Sequence, residues 1–247
     1  KGILHKLAMP TMILGTIIIS IGAWSVTVTK QAHSIIYGGS TFVMLAALLL
    51  VIFGLGDLIR IGLKKQGLKK ASFGQRIKAI LHDPIKFGPL WQMIFMNFTV
   101  SGIGLFMAAK LDDIFRVWPW EVERITLTGH WHILSGIIAT IILLYYADLI
   151  GLKGKVRKWY GWLIIIFSDL AFLSMTIFSI KRLFVSEAAQ QPVTDLTILL
   201  TDIGLGILLI ILAILLVWRL IDLFKQKGIW VKELADAKVE SDNQELI

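Results

Sequence analysis

Histidine and intramembrane carboxylate are the residue types through which this 247-residue chain could do chemistry, since it carries five histidines and no cysteine. His130 and His132 sit in the stretch 128–136, Thr-Gly-His-Trp-His-Ile-Leu-Ser-Gly, at the head of a long apolar run, and His33 stands at the head of another. Neutral imidazole ligates haem iron, copper and zinc. Two positions along a helix turn the side chain by about 200°, so His130 and His132 cannot both face one partner if both are helical. His132 is the inward ligand on this reading. Thr128 and Gly129 lie a turn before it and Ser135 and Gly136 a turn after, leaving room beside the ring for a large planar group. His33 is likewise followed by Gly38 and Gly39. Imidazoles from separate helices, with small residues alongside, are how a helical bundle holds haem b. Arg116 and Arg124, in the adjoining polar connection, would neutralise its propionates through forked hydrogen bonds.

Two acids inside apolar runs extend the set: Asp169 beside Ser168, and Asp202 beside Thr201. An ionisable group at membrane depth costs roughly 2.5–3.5 kcal/mol on insertion scales and is a functional candidate by default. Helical rise puts Asp202 near the level of His132, where it could join a copper or zinc site with His132, His130 and His33 or orient an imidazole N–H. Asp169 and Asp202 are also candidates for a proton path. The plainer alternatives are half-wet interfacial histidines and protonated aspartates bonded to the neighbouring hydroxyl. His5, His82, Tyr145 and Tyr146 read as surface or belt residues, and Asn97 as a bond between helices.

The elements that must position these groups are membrane spans. The chain is 56% hydrophobic and 17% charged, with a mean hydropathy of +0.77, where a soluble domain is about a quarter charged. A spanning helix needs about 20 apolar residues. Six runs qualify, at about 7–24, 35–59, 90–109, 129–150, 161–180 and 195–220, predicting an all-α integral membrane bundle over 1–224. A polar tail, 225–247, follows. The segment 60–89 is rich in lysine, and Ile77, Ile80 and Leu81 recur at helical spacing; it either lies flat on the headgroups or forms a soluble linker. Trp118-Pro119-Trp120 is the pattern of an interfacial aromatic belt. Gly204 and Gly206 read as helix contacts.

A net charge of +8 raises nucleic acid as a partner, but the basic residues fall in short connections between apolar runs, which is a topology signal. With six spans, the second-to-third and fourth-to-fifth connections and both termini share one face. The positive-inside rule places that face, the segment 60–89 and the tail in the cytoplasm. The absence of cysteine removes disulfides, thiolate metal sites and covalent haem attachment. The first apolar run is long enough to span, so no cleavable signal is expected.

The segment holding His130, His132 and Gly136 resembles the His-x-His, hydrophobic, Gly helices of integral-membrane b-type cytochromes, including relatives of haem–copper oxidase catalytic subunits. It covers about nine residues, and this chain lacks the further histidine cluster that holds copper in those subunits. The resemblance implies a small haem-carrying subunit of a respiratory or redox complex, in a cell or organellar inner membrane, passing electrons between the quinone pool and a partner subunit. Two other expectations stand beside it: a non-catalytic structural or assembly subunit, and a proton or ion pathway or a copper- or zinc-binding protein.

Overall fold

The computed structural model describes residues 3–25, 28–29, 33–67 and 71–225, and of His5, His33 and His130 it describes the backbone alone. Among the described residues there is no strand, and six helices are long and apolar enough to cross a membrane. In lipid this is the expected answer, because a helix satisfies its backbone N–H and C=O groups within itself. The chain is a multi-pass membrane protein. The polar tail lies outside the described residues, save Lys225.

The crossing helices are α1 (Ile3–Ser25), α2 (His33–Lys65), the third span, α6 (Trp120–Leu149), α7 (Gly154–Ile180) and α8 (Gln190–Phe224). The third span is composite: α4 (Pro84–Met96), a π-helical turn (Asn97–Gly102) and α5 (Ile103–Ala109). A short helix, α3 (Phe73–Ile80), lies between α2 and α4. Its start is set by a capping box in which Ser72 accepts from the Gln75 amide and Gln75 accepts from the Ser72 amide. Such a cap contributes about 1 kcal/mol. Ala79 packs against Gly62 of α2, while Phe73 and Ile77 stay exposed beside Arg76 and Lys78, the disposition of a helix lying on a membrane surface.

The helices form an extended row with a three-helix centre. The third span, α6 and α7 pack on one another, α2 leans on α4, α1 on α2, and α8 on α7. Accordingly 44% of the apolar window of α7 is buried, against 17% in α1 and α2, so α7 is the axis of the molecule. Small residues allow the close approaches, as expected where dispersion rather than hydrophobicity drives association. Gly15 of α1 faces Gly39 of α2 so closely that a Cβ on either would lie within 3 Å of the other's carbonyl oxygen. Gly204 meets Phe167 and Ala171. Buried Ser and Thr hydroxyls on α6, α7 and α8 mostly bond the carbonyl one turn back, as Thr140, Thr176 and Thr201 do. They are satisfied within their own helices and form no chain.

Several helices outrun the apolar windows. α4 starts at Pro84, not near residue 90, because proline at the first helical position loses no hydrogen bond. α7 starts at Gly154, with the basic residues 155–158 as its first turns. α6 starts at Trp120, so half of the connection read as 110–128 is helix. Glu121 and Glu123 fall in its first turn, where the helix dipole favours negative charge. His130 therefore lies about 15 Å along α6. It is not at the helix's beginning. Before α6, at the end away from the basic connections, Phe115 is fully buried, with Trp118 edge-on at 4.9 Å.

Candidate functional site

The most connected polar group at membrane depth is Asp169, midway along α7. It lies two turns above Gly161, which packs on Pro84 and Ile85 at the basic end, hence about 12 Å into the bundle. α4 and α7 run side by side in the same direction from that contact, and this parallel course brings residues 91 and 92 level with 168 and 169. The Trp91 indole N–H donates to Asp169 Oδ2 at 2.6 Å. Gln92 Nε2 donates to Asp169 Oδ1 and to Ser168 Oγ, each at 2.9 Å. Ser168 in turn donates to the Ile165 carbonyl at 2.9 Å. Gln92 and Ser168 are fully buried; Asp169 and Trp91 are half-buried. Ile166 and Leu173, a turn to either side on α7, are exposed, so the carboxyl sits on the seam between the bundle and its lipid-facing flank.

Among the described residues no Lys, Arg or His pairs with Asp169. Both carboxyl oxygens instead receive N–H donors, and such donors favour the ionised form against the desolvation that opposes it. Gln92 Oε1 is buried with no partner among the described residues. A half-turn of the carboxamide would exchange that acceptor for the donor now facing Asp169. The seat can then hold either state: a carboxylate accepting from Gln92 Nε2, or a carboxylic acid donating to Gln92 Oε1. Ser168 can follow by turning its hydroxyl from the Ile165 carbonyl to the amide. One turn further along the third span, Asn97 Oδ1 is also buried without a partner among the described residues. It opens the π-helical turn, a local widening that recurs at functional sites. The bond between helices expected of Asn97 is not made by its Oδ1 among the described residues.

The histidine end is arranged differently from the expectation. His132 is exposed on α6. The small residues around it are taken up by α7: a Cβ on Gly136 would lie 2.5 Å from the Phe172 ring, and one on Gly129 would collide with the Ser179 hydroxyl. Gly39 is filled by Ile19 of α1, while Gly38 faces open space. The room read from sequence beside His132 is helix contact. The side chains of His33 and His130 lie outside the described residues. α2 and α6 are not packing neighbours among the described residues, the third span standing between them. Arg116 is half-buried and Arg124 exposed.

Asp202 is exposed on α8, next to the buried Thr201 that faces the Ala171 carbonyl. It turns outward and is not brought to His132. No group of three His, Asp or Glu side chains able to hold a metal occurs among the described residues.

A second polar assembly, absent from the sequence reading, lies at the basic end. Arg157 makes a forked pair with Asp83, Nε to Oδ1 and Nη2 to Oδ2, each at 2.9 Å, and Nη2 reaches Asp148 Oδ1 at 2.5 Å. It ties the starts of α4 and α7 to the end of α6.

No family model matches the chain, and no curated protein or solved structure is similar to it.

Proposed function

We propose that this chain is a subunit of a membrane complex that exchanges protons at membrane depth, with Asp169 as the exchanging group. The carrying observation is the seat itself: a half-buried carboxyl with no cation beside it among the described residues, held by Trp91 and Gln92, whose amide can serve either protonation state. Trp91 and Gln92 position the group, and Asp169 carries the proton. A carboxyl serving only to join α4 to α7 would need none of the spare acceptor capacity at Gln92.

The test is infrared titration of the purified protein in lipid, with Asp169→Asn as the assignment. A carboxylic-acid band that titrates reversibly and is missing from D169N supports the reading, with proton uptake by proteoliposomes falling in parallel. A D169N protein with an unchanged spectrum and unchanged uptake overturns it.

The redox reading stands second, favoured by the exposure of His132 on α6. Because α7 occupies the glycine spaces, haem b bound by His132, with Arg116 and Arg124 toward its propionates, would sit on the outer flank of α6 against another subunit. Purified protein with a Soret band and a pyridine haemochrome, both lost in His132→Ala, supports this reading. Colourless, iron-free protein ends it. Quinone as the redox partner rests on the same outcome.

A further inference from the structure

At the basic end the turn from α6 to α7 meets the ends of α2 and α3 and the start of α4 around an open crevice of about 460 Å³. Its wall carries Lys65, His82, Lys86, Lys153, Arg157 and Lys158, with Asp83 and Asp148. Five cationic side chains against two carboxylates leave three positive charges in excess. Both carboxylates are already engaged by Arg157, and none of the four lysines makes an ion pair or hydrogen bond among the described residues. The guanidinium is largely buried, its side chain 16% exposed, and Nη1 makes no bond among the described residues.

The turn is built to present these donors. Gly151 and Gly154 take positive φ, 74° and 60°, a conformation that costs glycine little. Lys153, held between them, begins α7 without a side-chain cap, so the first N–H groups of that helix add to the positive field.

We infer that this crevice binds the phosphate of an anionic phospholipid headgroup. Its chemistry would suit any phosphate ester, but its position selects the lipid. It lies where spans end, next to exposed Trp159 and to the exposed Leu81 at the end of α3. Exposed tryptophan marks headgroup level, and basic pockets between spans recognise anionic headgroups. The four lysines are exposed and unpaired among the described residues, so their donors are open to an anion. The lipid would bridge α2, α4 and α7 at the level of the Arg157 pairs, clamping the three-helix centre from the basic side.

The test uses the full chain in nanodiscs of phosphatidylcholine with graded phosphatidylglycerol, followed by native mass spectrometry of retained lipid. The wild type should keep phosphatidylglycerol in preference to phosphatidylcholine. Preference should fall about fivefold for each lysine removed along Lys86→Gln, Lys153→Gln and Lys158→Gln, while Arg60→Gln, outside the crevice, changes nothing. A photoreactive phosphatidylglycerol should label the wild type at the crevice, which keeps the question answerable if a variant fails to fold. Equal retention of both lipids, or labelling elsewhere, overturns the proposal. So does inorganic phosphate displacing the label at low concentration, since the site would then take a soluble phosphate.

Discussion

Two polar assemblies hold the centre of this molecule, and they solve opposite problems. At the basic end, Arg157 binds Asp83 and Asp148 through charge-assisted hydrogen bonds at the edge of water. At membrane depth, Asp169 has only neutral donors, Trp91 and Gln92. The first arrangement joins opposite charges and ties three helices together. The second leaves a carboxyl whose two protonation states are both accommodated. Fixed charge belongs to architecture here, and the group with no counterion among the described residues is the one we propose to exchange a proton.

The contrast can be broken most severely at Arg157. Arg157→Ala would leave Asp83 and Asp148 without the guanidinium they share, and thermal unfolding in detergent should show a loss of about 2–3 kcal/mol, less than a fully buried pair would give. Trp91→Phe is gentler and more informative. A hydrogen bond to a charged acceptor is worth about 2 kcal/mol and one to a neutral acceptor about 1, so a double-mutant cycle with D169N reads the charge state of the seat directly. A coupling near 1 kcal/mol would mark an ionised carboxyl and one near zero a protonated one, since asparagine offers the indole an equally neutral acceptor. The smallest expected effect is that of salt. Raising ionic strength from about 0.1 to 1 M shortens the screening length from about 10 Å to about 3 Å. That should cost the Arg157 assembly a few tenths of a kcal/mol, measured as the shrinking difference between wild type and R157A, and leave the difference between wild type and D169N unchanged. Equal salt responses would show that water reaches both sites alike.

Asp169 was legible as a candidate because an acid in an apolar run is rare and costly in lipid. Its partners were not. Trp91 and Gln92 lie 78 and 77 positions away, and nothing local distinguishes an indole or a carboxamide that reaches an acid from one that faces lipid. A carboxamide inside a span was the available signal for Gln92, since such groups bond between helices. The histidine end went the other way. Gly129 and Gly136 mark close approach in either reading, and only the neighbour decides whether a cofactor or a phenylalanine fills the gap. Asp148 proved to be a partner of Arg157, which no local pattern announces, and Asp202 proved to face outward.

The sequence by itself determined that this is a six-span helical membrane protein with its basic connections gathered on one face. Hydrophobic length and backbone hydrogen bonding leave no other structure in lipid, and those properties are local to each run. Which helices touch, and through which residues, only the tertiary structure decided. Helix faces with similar apolar surfaces are nearly interchangeable until packing selects among them, and that selection placed α4 beside α7, gave Asp169 its two donors and filled the spaces next to His132.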